Sequence, residues 1–161
     1  MKYDDILNEA HHLPERTFED LMKEVKRSID NFEIDNLILN AVKDSTLSIE
    51  NYHSLLKNLF HQVWVVPGTF ALAGGLTPER LSLARDYLLH HAEEEKLHWT
   101  WIISDLRATG YKEIDPRELY PSIETQAYLS YATFLALRFP LGRLAMAAVL
   151  EGISAKFGER Y

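Results

Sequence analysis

At 161 residues the chain is long enough for one domain with a packed core and too short for two comfortable ones. Hydrophobic residues make up 47% and charged residues 25%, the balance of a folded globule, which argues against wholesale disorder. A net charge of −7 disfavours nucleic acid and anionic membrane as partners, and the lack of cysteine excludes disulfides, thiolate metal sites and cysteine nucleophiles.

The first residues, MKYDDILNEAHHLPE, contain no apolar signal core, and no run approaches bilayer-spanning length, so a cytoplasmic address is expected. Beyond them one helical pattern follows another, with no strand alternation. Over residues 17–31, Phe18, Leu21, Met22, Val25 and Ile29 recur at three- and four-residue steps behind a capping Thr17. A shorter apolar segment covers 34–43. Ser48 is placed to cap a third helix, which is expected to stop at Pro67-Gly68. Thr77-Pro78, a capping residue followed by proline, opens a long helix that runs to Gly110. The loop at 111–116 leads to a helix over 117–138; Pro140 breaks it, and a last helix covers 141–158. No repeat, low-complexity stretch or linker intervenes, so the expectation is a single all-α domain over 1–161, a helical bundle.

The chemistry is concentrated on the long helix. Leu81, Ala84, Leu88, Trp99, Ile102 and Leu106 form one apolar stripe at 100° per residue. Glu95 projects into the middle of that stripe, with His91 one turn before it and His98 one turn after. Glu94 lies further round, Asp105 continues the polar edge, and Glu93 and Lys96 point to solvent. A carboxylate among apolar side chains costs several kcal/mol unless it is paired or bound to a cation. The last helix repeats the anomaly: Glu151 follows seven apolar residues on a face lined by Leu144, Ala148 and Ala155, with Ala147, Gly152 and Gly158 at the margins. Helical bundles hold pairs of metal ions with one glutamate per helix plus a glutamate and a histidine three residues apart. Glu95-x-x-His98 together with Glu151 supplies half of that set, and these three are the candidate metal ligands.

Plainer readings compete. Glu95 can pair with Arg138 or Arg143, leaving His98 as an ordinary hydrogen-bonding residue. His90 and His91 read as a histidine pair on a helix edge, His11 and His12 as a surface pair before Pro14, and His53 and His61 as packing or surface residues. Gly74-Gly75 is a turn, because no Lys-Ser or Lys-Thr follows it as a phosphate loop requires.

The run HAEEEKLHWTWIISDLRATG resembles the central helix of the haem-oxygenase-like superfamily, in particular its iron-containing redox enzymes. His91, Ala92, Glu94, Glu95, His98, Trp101, Asp105, Leu106 and Gly110 occupy the places of that family's H-A-x-E-E-x-x-H-x-x-W run, its following aspartate-leucine pair and its capping glycine. Pro140, Gly142, Leu150, Glu151, Gly152 and Ser154 match a later helix, and NYHSLLKNLFHQVWVVPGTFALA is similar to the second core helix. The resemblance covers residues 48–158. It implies a haem-oxygenase-like bundle binding two irons without haem, similar to the branch that includes an alkene-forming fatty-acid decarboxylase. Glu95 and His98 would hold one ferrous ion, and Glu151 would bridge to or bind the second. His91 and Glu94 stand as alternative ligands or supporting partners, and Asp105 as a residue that orients His98. The family's further ligand helix, His-x-x-x-Asp-x-x-His or similar, has no counterpart before Tyr161, so the bundle is expected to be C-terminally incomplete in this chain.

The implied reaction is dioxygen-dependent oxidation of a small organic or fatty-acid-like substrate, in an apolar tunnel for which Trp99, Trp101, Tyr131 and Phe134 are the lining candidates. Two alternatives remain. One is a haem-binding or metal-free member of the same fold (thiaminase-like, quinone-cofactor-like or biliverdin-forming), with His11, His12 or His53 as haem ligands. The other is a non-catalytic helical interaction protein whose buried acids form salt bridges. A homodimer is a further expectation, since exposed apolar surface calls for a cover.

Overall fold

The helix that organises the molecule starts where Ser48 predicts: its hydroxyl oxygen accepts from the Asn51 N–H at 3.2 Å, the usual N-cap bond. The computed structural model describes residues 19–157, Leu21 and Asp35 excepted. Thr17, Phe18 and Leu21 of the first predicted helix, His11, His12 and Gly158 lie outside the described residues. Among the described residues every regular element is helical and no strand occurs. In chain order these are α1 (helical residues 22–34), α2 (Leu37–Lys43), α3 (Ile49–Leu76), α4 (Ser82–Glu95), α5 (Trp99–Ala108), α6 (Ile123–Arg138) and α7 (Pro140–Phe157), with 3-10 turns at Glu79–Leu81 and Pro116–Glu118.

The expected stop at Pro67-Gly68 does not occur. Pro67 lies inside α3, which continues for 28 residues to Leu76. Proline there removes one helical N–H and crowds the carbonyl four residues back, a cost of about 3 kcal/mol or more in isolation. Burial on both sides of the ring outweighs it: Leu56 and Phe60 are buried before it, and Thr69, Phe70, Ala73 and Gly74 after it. Uninterrupted, α3 is by length and composition long and apolar enough to cross a membrane, contrary to the expectation that no run approaches that length. Pro67→Ala would return an N–H to the Val63 carbonyl. It is expected to raise stability by about 1–2 kcal/mol, after allowing for the greater freedom of the unfolded chain. A urea midpoint that fails to rise would show the helix already relaxed around the ring.

Thr77 also takes a different role. Its hydroxyl donates to the Ala73 carbonyl at 2.8 Å and its N–H bonds to Gly74, so it closes α3 instead of opening the next helix. At the far end Gly110 caps as expected, at φ +84°. The Tyr111 and Gly110 N–H groups return to the carbonyls of Leu106 and Arg107, the two bonds of a Schellman motif. Ser122 caps α6 through the Thr125 N–H, and the chain turns at Phe139 before Pro140 starts α7.

The chain divides into two compact units, Asp44–Ala147 and Met1–Lys43 with Ala148–Tyr161. In the first, α3 serves two cores. Its leading half packs Leu56 and Phe60 against Ile102, Ile103 and Leu106 of α5. Its trailing half packs Phe70 and Ala73 against Leu88 of α4, Ala136 of α6 and Ala147 of α7. In the other unit Ile29 approaches Gly152 so closely that a Cβ there would lie 2.5 Å from the Ile29 Cδ1. Lys156 bridges Asp30 and Glu33 at 3.1 and 2.8 Å, Phe32 meets Phe157, and Asn36 caps α2, which buries no side chain.

Candidate functional site

The long helix expected over residues 77–110 is two helices, and the break falls on the Glu95-x-x-His98 motif. Residues 96–98 form a tight turn in which the N–H groups of His98, Thr100 and Trp101 each bond three residues back. The backbone angles of Lys96 (−60°, −22°) and His98 (−61°, −29°) are those of a 3-10 helix. In that geometry side chains three apart eclipse one another. Glu95 and His98 are so aligned, with the carboxylate Oε2 2.6 Å from the His98 Nδ1. Three residues wound at 120° instead of 100° turn the following helix by about 60°. Ile103, which the straight-helix stripe leaves out, is buried.

Acid and imidazole then alternate along α4. His90 Nε2 is 3.2 Å from Glu94 Oε1, and Glu94 Oε2 is 3.4 Å from His91 Nδ1. His91 Nε2 is 3.6 Å from Glu95 Oε1, and the other oxygen of Glu95 meets His98. Exposure falls inward along this row: the side chain of His90 is 72% exposed, that of His91 12% and that of Glu95 14%. His91 is held by two rings, stacked on Tyr87 at 5.6 Å and edge-on to Phe70 at 4.6 Å. Trp101 stacks on His98 at 4.2 Å.

These distances separate two kinds of contact. At 2.6 Å, Glu95 and His98 share a short, charge-assisted hydrogen bond. At 3.6 Å, Glu95 and His91 are beyond hydrogen-bonding range. Two donor atoms each about 2.1 Å from a shared cation stand about 3–3.5 Å apart, close to that spacing. Glu95 thus stands between the two imidazoles, hydrogen-bonded to His98 and at donor-pair spacing from His91.

A third charge stands nearby. Arg143, at the start of α7, is 1% exposed; its Nε–H donates to the Thr69 hydroxyl at 3.1 Å and its guanidinium lies 3.9 Å from the centre of the Phe70 ring. Burial pushes its pKa down, and the Tyr128 and Glu95 charges push it back up. Burial likewise raises the Tyr128 phenol, against the pull of Arg143. The sequence offers Arg143 as a partner of Glu95, but its near-complete burial against Phe70 is a property of packing that no spacing reveals.

The remaining candidates fare differently. Glu151 sits on α7 and is exposed, not buried as the small residues around it suggested. Asp105 is exposed, and its carbonyl accepts from the Thr109 hydroxyl; His98 is oriented by Glu95 instead. Trp99 packs against the α3–α5 core and edge-on to Phe60 and Trp64. Trp101, Tyr131 and Phe134 are exposed, so they do not line an interior tunnel. On α6 the last two share a side of the helix opposite the buried Ala132, Leu135 and Ala136. His53 bonds Thr109 at 3.0 Å and meets Tyr111 edge-on, and His61 packs on Phe60, as packing residues do.

Among proteins of known family or structure, no family model, curated protein or solved structure matches the chain.

Proposed function

We propose that the Asp44–Ala147 unit carries a non-haem metal centre, with ferrous iron as its ion, in a dioxygen-dependent oxidase or oxygenase of the haem-oxygenase-like type. The observation that carries this reading is the Glu95 carboxylate: little exposed, one oxygen fixed by His98, the other at ligand-pair spacing from His91. A nitrogen and oxygen donor set that leaves positions open suits iron in both oxidation states. The similarity of residues 91–110 and 140–154 to the iron-containing redox enzymes supports the fold and the metal. That likeness also implies a small organic or fatty-acid-like substrate.

In this reading His91 carries its proton on Nδ1, donates it to Glu94, and presents Nε2 to the ion. His98 donates from Nδ1 to Glu95 and, pinned by Trp101, keeps the carboxylate from rotating away. Bound iron would supply the one-electron chemistry with dioxygen that these side chains lack. Glu151 enters the proposal from the sequence, as the carboxylate of a second ion.

Anaerobic titration with ferrous iron against a coloured chelator tests this directly. About two ions per chain are expected, falling to about one in Glu151→Ala, with dioxygen consumed once air is admitted. Failure of the wild-type chain to take up ferrous iron or manganese would end the proposal. One observation favours a second reading: the Arg143 charge is buried and feels the field of Glu95, so the acid can serve as an internal counter-ion in a non-catalytic scaffold. That scaffold would take up no metal and would melt at the same temperature with or without iron.

A further inference from the structure

We propose that the exposed side of α6 is a self-complementary surface on which two copies of this chain pair antiparallel, about a two-fold axis at Tyr131. α6 is apolar on both sides. It buries Thr125, Ala132, Leu135 and Ala136, yet Ile123, Tyr131, Phe134 and Leu137 are 80%, 56%, 49% and 51% exposed. A helix with apolar residues all round belongs between two neighbours, and only one side of this one is covered within its unit.

The spacing and the charges together name the occupant. Ile123, Ala127, Ser130, Phe134 and Leu137, all exposed, recur at alternating steps of four and three, the seam of a two-stranded coiled coil. Beside that seam, Glu124, Tyr131 and Arg138 recur every seven residues. Glu124 and Arg138 are equally far from Tyr131 and opposite in charge. An antiparallel copy therefore sets Glu124 against its partner's Arg138 twice, with the two Tyr131 rings meeting at the axis. A parallel copy would put the two sets on opposite sides of the seam, where Glu124 and Arg138 cannot meet. The helix dipoles also oppose favourably in the antiparallel arrangement. An isologous contact of this kind closes on itself and produces a dimer, not a filament.

Sedimentation equilibrium of the full chain near physiological salt, where screening leaves only close charge pairs effective, is the test. The wild-type chain is expected to be a dimer. Phe134→Glu should be monomeric with an unchanged helical circular-dichroism spectrum, since it places a charge in the seam without touching the core. Arg138→Glu should weaken the dimer about 10-fold, and Glu124→Arg combined with Arg138→Glu should restore most of that loss. The charge pair decides the matter even if Phe134→Glu folds poorly. A wild-type chain that stays monomeric at about 100 µM would overturn the proposal. So would a dimer indifferent to these substitutions, a charge swap that restores nothing, or a face that binds neutral lipid vesicles in place of a second copy.

Discussion

Glu95→Ala is expected to reduce ferrous-iron affinity by more than about 100-fold, the upper range for losing a residue that merely orients a ligand. The carboxylate reaches both imidazoles, so its removal would take away the proposed ligand and release His98 at once. His98→Ala should cost less, about 10–100-fold, because the ligand remains but can rotate. His91→Ala should resemble Glu95→Ala. The order of these three separates the proposed roles, and chelator competition under anaerobic conditions reads it. If His98→Ala were the most damaging, the assignment from sequence, with His98 as the ligand, would be the right one. Glu95→Gln adds a control: it keeps the volume and a hydrogen bond to His98 but lacks the charge, and so should bind iron nearly as poorly as the alanine variant.

Arg143→Ala is expected to destabilise the chain by about 2–5 kcal/mol, the range for truncating a large buried side chain. Two contacts are lost: the guanidinium over Phe70 and the bond to Thr69. The stem of Arg143 also fills core volume, so a void is left. Arg143→Met retains most of that volume and should lose less. Urea melts of both, with helical circular dichroism as the signal, separate packing from charge. An alanine variant that melts like the wild-type chain would show that Arg143 carries no structural role. Adding Glu95→Gln to Arg143→Met should recover part of the loss, since the acid no longer needs a counter-ion; independent, additive effects would argue that the two charges do not interact.

Local chemistry made much of the helical pattern legible. Ser48, Gly110 and Pro140 mark real boundaries because a cap, a left-handed residue and a missing N–H act within one turn. The misreadings arise where distant packing decides. Pro67 breaks helices by local rules, but its neighbours on both sides are buried and the helix holds. Thr77-Pro78 has the look of a helix start, yet the Thr77 hydroxyl satisfies the preceding helix. The turn at 96–98 leaves no breaker residue in the sequence; it shows only in the i to i+3 bonds and the eclipsed Glu95–His98 pair. Periodicity placed Glu95 between His91 and His98 but could not show that it lies 2.6 Å from His98 and 3.6 Å from His91, because those distances depend on the turn between them. Tyr131 and Phe134 are tunnel candidates only through the reaction that the resemblance implies; the side of α6 they occupy is set by which residues the other side buries.

A rod shared by two cores has little mutational latitude. On α3, a change at Phe60 disturbs the packing with α5, and one at Phe70 or Ala73 disturbs α4, α6 and the beginning of α7. Drift in this sequence should accordingly be slowest between Leu56 and Gly74, and fastest along α2, where no side chain is buried.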